Sequence, residues 1–401
     1  MGMRERIEDW HYEKLANVIE INPRSEKLDK DTEITFLAMA DVSNDGRILN
    51  RNVKSYYEVS KGFTSFKEND VLLAKITPCF ENGKRALATK LKNGYGFGST
   101  EFHVLRGNNN LISEYLYQFI SLNTFKIRGE ANMTGSAGQK RVSTEFLKSY
   151  QLQFPPLPEQ KKIATILSSV DKHIDEVDGM IEDLKELKKG LMQKLLTEGI
   201  GHTEFKDSEV GRIPVAWEVK QLDNASKIIM GQSPKSESYN EEGIGLPLIQ
   251  GNADCKHRKT VPRVFTSQIT KLCDVGDIIM TVRAPVGAIS KCNHNACIGR
   301  GVCAIRVNAS NSGEFIYQYL INFEDNWSKL AQGSTFTAIN SNDVKTLMIP
   351  VPQINEQSKI ASILSSVDNR IEIYEKEKED LTQLKKALMQ QLLTGKTRVK
   401  I

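Results

Sequence analysis

Apolar residues recur along two stretches of the chain in alternating steps of four and three. In the first, Ile163, Leu167, Val170, Ile174, Val177, Ile181, Leu184, Leu191 and Leu195 keep this spacing, and Lys188 stands where one further apolar residue belongs. In the second, Ile360, Leu364, Val367, Ile371, Tyr374, Leu381, Leu388 and Leu392 hold the same register, with Lys378 and Lys385 in two seam positions. Such steps trace a heptad seam, so both stretches predict long helices with a narrow stripe suited to a partner helix. Pro158 before the first, and Pro352 with Asn355 before the second, are start signals, while Gly199 and Gly395 mark the ends. A helix from Glu159 to Leu196 would run about 57 Å at about 1.5 Å per residue, the length of a spacer. Helices bundled inside a larger core carry a wider stripe. Two equal stripes in one chain predict that they pack on each other, and an antiparallel pair joined through the intervening domain needs only short links. That arrangement would place the flanking domains at opposite ends of the rod.

The stretches before each helix alternate differently. Ile34–Met39, Asp70–Ile76, Glu101–Leu105 and Gln151–Phe154 read as short strands between Asn, Gly and Asp turns, and 111–127 reads as a helix. The second such stretch offers strands at Pro247–Gln250, Asp277–Arg283, Val302–Val307 and Thr346–Ile349, and a helix from Glu314 to Ala331. The predicted class is α+β: two similar mixed domains separated by two long helices packed as an antiparallel coiled coil, with an internal pseudo-two-fold repeat. The boundaries drawn are 1–154 for the first domain, 155–200 for the first helix, 201–349 for the second domain and 350–401 for the second helix.

The helical stretches are also copies of each other in sequence. Glu159-Gln-Lys-Lys-Ile-Ala-Thr-Ile-Leu-Ser-Ser-Val-Asp171 returns as Glu356-Gln-Ser-Lys-Ile-Ala-Ser-Ile-Leu-Ser-Ser-Val-Asp368, and Leu187-Lys-Lys-Gly-Leu-Met-Gln-Lys-Leu-Leu-Thr197 as Leu384-Lys-Lys-Ala-Leu-Met-Gln-Gln-Leu-Leu-Thr394. The domains share only faint landmarks: Trp10 and Leu15 against Trp217 and Leu222, Asp70–Pro78 against Asp277–Pro285, and Gly135-Ser136 against Gly333-Ser334. A constant part and a variable part, each present twice, suit two different readers on one frame.

Composition adds limits. The 401 residues can bury two or three cores, and the net charge of +4 is small and evenly spread, so charge alone does not point to DNA. No apolar run approaches the roughly 20 residues of a membrane span. Met1-Gly-Met-Arg-Glu-Arg shows no apolar signal region, and the expectation is a cytoplasmic protein. Cys79 stands alone in the first half while Cys255, Cys273, Cys292, Cys297 and Cys303 crowd the second, which rules out a disulfide framework shared by the repeats. Cys292-x-His294-x-x-Cys297-x5-Cys303 contains zinc-ligand types, but its spacing fits no standard finger, and small buried cysteines are the expectation. No metal site is predicted.

On the Glu-Gln start, the Ile-Ala-x-Ile-Leu-Ser-Ser-Val-Asp run and the Leu-Lys-Lys-x-Leu-Met-Gln-x-Leu-Leu-Thr end, the chain resembles the specificity subunits of type I restriction-modification systems; Gly211-Arg-Ile-Pro-Val-Ala-Trp217 looks like that family's approach to its second target-recognition domain. The N-terminus has Trp10 without the preceding Gly-x-Ile-Pro, so the ends depart from the symmetry of the middle. The resemblance implies a non-catalytic DNA reader in which each variable domain recognises half of a bipartite, asymmetric double-stranded site and the helices set the unread spacer. It also implies two methyltransferase (M) subunits docked on the helices and restriction (R) subunits joined to that core. No cofactor is implied on this chain; S-adenosylmethionine, ATP and Mg are expected on the partners.

Candidate DNA-binding residues follow from side-chain chemistry. Gln139, Lys140 and Arg141 end a glycine-rich loop and suit adenine, phosphate and guanine. Their counterparts fall at Thr335, Thr337 and Asn340. Lys75 with Thr77, and Arg283, stand at matching strand ends, and Lys256, Arg258 and Lys259 form the densest basic cluster of the second domain. A solvated turn, exposed strand residues and a solvated charge run are the plain readings of the same positions. Helix pairing is assigned to Ile163, Leu167, Val170, Ile174, Val177, Ile181, Leu184, Ile360, Leu364, Val367, Ile371, Tyr374 and Leu381. Glu159, Gln160, Ser168, Asp171, Glu356, Gln357, Ser365 and Asp368 are duplicated beyond what a seam demands and are candidates for partner docking, although Glu near a helix start is favourable in any case. Two other functions compete. A methyltransferase or nuclease in its own right would need a glycine loop between strand and helix, but Gly94-Tyr-Gly-Phe-Gly98 leads into strand-like residues, and Asn22-Pro23 is followed by Arg24 rather than by a second proline and an aromatic. A coiled-coil scaffold with two protein-binding heads is separated from a DNA reader by salt-dependent, sequence-selective binding.

Overall fold

The computed structural model describes residues 7–136, 138–332 and 338–401. The long helices stand where the apolar steps put them, at Leu157–Leu195 and Ile354–Leu392, 39 residues each or about 58 Å. Pro158 sits in the first turn of one, and Gly199 and Gly395, with φ of 67° and 70°, follow the two ends as left-handed caps.

The chain forms two compact units, Met1–Val177 with Glu377–Ile401, and Asp178–Lys376. Each unit therefore holds one variable domain, the first half of one long helix and the second half of the other. In the first unit Ile163, Ala164 and Leu167 share a core with Met389, Leu392 and Leu393. Further along, Asp171 takes Lys385, so one helix rises while the other descends. In the second unit Met192 and Leu195 share a core with Ile360 and Leu364, and Lys188 meets Asp368 at 2.6 Å, again antiparallel. Val177, Ile181 and Val367 are buried on the seam; Val170, Ile174, Leu184, Ile371, Tyr374 and Leu381 are half-buried, as a two-helix stripe requires.

The first domain is a pair of four-stranded sheets. One runs Ile19–Ile21, Phe102–Gly107, Val71–Ala74, Arg85–Leu87 in spatial order; the other runs Asn52–Ser55, Glu33–Leu37, Tyr95–Gly98, Thr64–Lys67. Strand Val71–Ala74 is buried on both faces, and its side chains divide by parity. Leu72 and Ala74 enter the inter-sheet core with Leu37, Phe66 and Val104, while Val71 and Leu73 face the helices. That continuous apolar run made it legible, whereas the short, exposed edge strand Asn52–Ser55 gave no signal. The helix predicted over 111–127 is two, Ser113–Phe119 and Asn123–Ala131. Leu122 is extended between them, and the break lets Phe119 and Phe125 join Phe146 and Tyr150 in one cluster with ring centroids 5.0 to 6.4 Å apart.

The second domain repeats the plan with a six-stranded and a five-stranded sheet and a single 20-residue helix, Gly313–Gln332. The one parallel pairing among the described residues of the first domain, Thr35–Leu37 with Gly96–Gly98, has its counterpart in Leu248–Ile249 with Cys297–Ile298. Cys273 and Cys292 lie in the inter-sheet core with their sulfurs 3.2 Å apart, and Cys303 is buried in the core facing the helices. All six thiols are free.

Candidate nucleic-acid interface

Beyond Val71–Ala74 the first domain's chain continues through Lys75, Ile76 and Thr77 to a cis peptide at Pro78. Lys140–Val142 returns beside it. The Val142 amide donates to the Lys75 carbonyl at 2.8 Å, the Thr77 amide donates to the Lys140 carbonyl at 2.9 Å, and Ile76 stands opposite Arg141. Gly135, with φ of 125°, shapes the loop before this return; a Cβ there would meet the Gln139 carbonyl oxygen at 2.8 Å. Lys75, Thr77, Gln139, Lys140 and Arg141 are thus gathered at one strand end, with Gln139 and Lys140 exposed.

Arg141 is not available in the way its residue type suggested. Its guanidinium forks onto Glu101, with Nε at 3.0 Å from Oε2 and Nη2 at 2.8 Å from Oε1. The hydrogen bonds from Arg141 hold the Glu101 carboxyl below its ordinary range, and the same bonds raise the guanidinium. Behind them His103 is buried between the Val142 carbonyl and Asn22, and burial pushes its pKa down.

The second domain builds the same junction. The Ile339 amide donates to the Val282 carbonyl at 3.0 Å, Arg283 stands opposite Ala338, and a cis peptide follows at Pro285. Arg283 therefore corresponds to Ile76, and the arginine has changed sides of the bridge. The residue answering Glu101 is Gly301, since Lys75 and Val282 donate to the carbonyls of these two. Among the described residues no carboxylate pairs with Arg283, which is exposed. Arg300, which is exposed, directly precedes Gly301, whose carbonyl accepts from the Val282 amide at this strand end. Sequence reasoning missed it; the signal that could have found it is a lone arginine between two glycines, Gly299-Arg300-Gly301. A Cβ on Gly301 would fall 2.1 Å from the Gln250 carbonyl oxygen, so only glycine lets the backbone pass that closely.

Other assignments change. Asn340 caps helix Ser341–Lys345 by accepting from the Asn342 and Asp343 amides, as Ser143 caps Thr144–Ser149. Thr335 and Thr337 lie outside the described residues. Lys256–Lys259 is a two-residue hairpin turn, with His257 and Arg258 at φ of 48° and 57°. Arg258 forks onto Glu324 and Lys259 pairs with Glu372 of the second long helix, so two of these three cations, although exposed, are tied within the protein.

The duplicated helix residues are mostly turned inward, which corrects their reading as docking residues. Glu159 is fully buried and accepts from Arg398 Nε and Nη2, both at 2.8 Å. Gln160 donates to the Asn110 and Pro155 carbonyls and accepts from the Ile112 amide; Gln357 donates to the Asn311 side-chain Oδ1 and the Pro352 carbonyl and accepts from the Ser312 amide. Glu356 accepts from the Ile200 amide, the Trp217 indole and His202. Asp171 accepts from Gln118 and Asp368 from Gln318, at 2.9 and 2.8 Å. Ser365 donates to Glu314, while Ser168 is exposed. Polarity marked these positions; only the fold shows that their partners are internal. Among the described residues no cluster of three or more His, Cys, Asp or Glu could hold a metal, and no helix is long and apolar enough to cross a membrane.

A family model described as the type I restriction modification DNA specificity domain matches residues 7–186 and again 214–383. A protein of Methanocaldococcus jannaschii assigned as the MjaX type I restriction enzyme specificity subunit is 36% identical over 98% of this chain and 95% of its own length. Among solved structures, the S subunit of a type I restriction-modification system from M. genitalium superposes with a TM-score of 0.65 at 17% identity, covering 98% of each chain. A chain from a structure of type I R-M complex assembly and conformational transition superposes with a TM-score of 0.59 at 24% identity, covering 98% of this chain and all of that one. These two likenesses concern the fold.

Proposed function

Because this chain belongs to the type I restriction-modification DNA specificity family and carries that family's domain twice, we propose that each domain reads one half of a bipartite, asymmetric DNA site while the long helices set the unread spacer. The observation that carries the proposal is the duplicated strand-end junction. One backbone arrangement presents Lys75, Thr77, Gln139 and Lys140 in the first domain and Arg283 with Arg300 in the second. Sequence is readable by hydrogen-bonding side chains in the major groove, where all four base pairs differ. Different side chains on one scaffold would therefore read different half-sites. Two half-sites on the same face of B-DNA lie about 34 to 36 Å apart, within the reach of helices about 58 Å long.

The chain supplies recognition and no chemistry, and S-adenosylmethionine, ATP and Mg would reside on partner subunits. Two methyltransferase subunits would dock on faces that the repeat keeps both identical and exposed: Lys162, Ser169 and Leu187 in one copy, Lys359, Ser366 and Leu384 in the other. Leu187 and Leu384 are 51% and 48% exposed, which packing within this chain does not explain. Restriction subunits would join the complex so formed. Six free thiols suit a reducing cytoplasm.

The test is to map methylated bases in DNA from cells expressing the chain with its methyltransferase subunit. The expected result is a split motif with a fixed spacer, in which exchanging 214–349 for another family member's second domain changes one half only. A continuous motif, or a folded complex that methylates nothing, would favour the scaffold reading.

A further inference from the structure

Lys188 and Lys385 look like flaws in the seam, yet each is tied in the same way. Lys188 joins Asp368 on the other long helix, and Asp368 also accepts from Gln318 of the domain helix Gly313–Gln332. In the other unit Lys385 joins Asp171, which also accepts from Gln118 of helix Ser113–Phe119. Each lysine side chain is only 13% exposed, unlike the surface pairs elsewhere on these helices. Each carboxylate therefore ties three elements at one point: both long helices and the reading domain.

An apolar residue at a seam position packs at least as well as a buried ion pair, so polar seam residues are poor contributors to stability and good ones to register. The repeat adds an internal comparison. The Asp and Lys of both junctions lie in the two blocks that the repeat copies almost unchanged, whereas between those blocks Lys172 stands against Asn369, Glu176 against Ile373 and Ile181 against Lys378; Gln118 and Gln318, outside the long helices, match as well. We infer that Gln118–Asp171–Lys385 and Gln318–Asp368–Lys188 are positioning junctions that fix how each reading domain sits on the helix pair, and so set how strictly the DNA spacer length is selected. This rests on the DNA-reading role proposed above. It assigns to the junctions no contact with bases, so the motif read in each half is independent of them. One base pair of spacer corresponds to about 3.4 Å and about one tenth of a turn, so small rocking at the junctions is enough to admit a neighbouring spacer.

The experiment uses the full chain in complex with its methyltransferase subunits and a set of duplexes carrying both half-sites with the native spacer or one base pair more or fewer. The Lys188→Met/Lys385→Met variant keeps the seam filled and leaves each aspartate its glutamine. Its preference for the native over the altered spacers is expected to fall at least about threefold with the half-site sequences unchanged. A purely structural role would lower activity on all spacers in proportion, and an unchanged ratio overturns the inference. If the double variant does not assemble, the exchanges Lys188→Glu/Asp368→Lys and Lys385→Glu/Asp171→Lys, which restore opposite charges, carry the test. Each is expected to regain the native ratio where Lys188→Glu or Lys385→Glu alone does not, and a folded exchange variant with a relaxed ratio also overturns it. Wild-type complex indifferent to spacer length would instead remove the DNA-reading premise.

Discussion

Replacing Arg398 with Met tests whether the C-terminal tail is part of the first unit's core. Arg398 follows the second long helix, and its guanidinium grips the buried Glu159 carboxylate at the start of the first through two bonds of 2.8 Å while lying 6.0 Å above the Trp10 ring. Removing one member of a buried ion pair costs about 3–5 kcal/mol, because the other charge is left without compensation. Here the Arg398 side chain is 41% exposed, so water reaches one side of the pair. Glu159 also lies in the first helical turn, where the helix dipole favours a carboxylate. Both effects lower the expected loss to about 2–3 kcal/mol. For a unit of this size that is a drop in Tm of roughly 5 to 10 °C, readable by calorimetry of the purified chain. Glu159→Gln with Arg398→Met should recover much of the loss, since no buried charge remains, giving a coupling energy of at least about 1.5 kcal/mol in a double-mutant cycle. A single Arg398→Met variant within about 0.5 kcal/mol of the parent would show that the carboxylate does not depend on the tail, and the argument would fail.

Arg283→Ala is expected to weaken discrimination at one position of the second half-site by about 1–3 kcal/mol, leaving the first half-site motif unchanged, as read by methylation of duplexes varied base by base. A uniform loss across sequences would reassign Arg283 to the phosphates. His103 gives a dependence on pH. Its folded pKa lies below the ordinary 6.5 because burial disfavours the charged ring, so the unfolded chain binds the extra proton and stability falls as pH drops below about 6.5. The loss levels off below the depressed folded value. His103→Gln should flatten that part of the stability curve in urea titrations between pH 7.5 and 5, and an unchanged slope would contradict it.

The local periodicities were legible because they need no knowledge of the partner. Steps of four and three fix the exposed and buried sides of both long helices, and the apolar run at 71–74, short and bounded by Asn69-Asp70 on one side, reads as a strand with two covered faces. Side chains whose meaning depends on a distant residue were not legible. Arg141 read as a guanine contact because Glu101 lies 40 positions away, and Lys259 as part of a DNA-binding basic cluster because Glu372 lies 113 away. Glu159 read as a docking residue although its partner is 239 positions off. Residue type shows that a charge needs a partner; the fold decides whether that partner is internal or external.

The same reasoning separates the two domains' candidate contacts. Both junctions place one arginine at the bridged pair, but in the first domain Glu101 neutralises it, and in the second the corresponding place is Gly301. The first domain's outward chemistry is thereby left mainly to the exposed Gln139 and Lys140, beside the half-buried Lys75 and a Thr77 hydroxyl that donates to the Lys140 carbonyl at 3.2 Å. The second presents Arg283 and Arg300, whose planar forks match the paired acceptors of guanine. The half-site read by the second domain is therefore expected to contain guanine opposite these arginines. Introducing Gly301→Glu to rebuild the ion pair is unsuitable as a test, because a Cβ there strikes the Gln250 carbonyl oxygen at 2.1 Å. Glu101→Gln is suitable. It releases Arg141 while keeping the side chain's length, and it should add guanine preference to the first half-site without altering the second. An unaltered first motif with intact methylation would show that Arg141 points away from the bases whether or not it is paired.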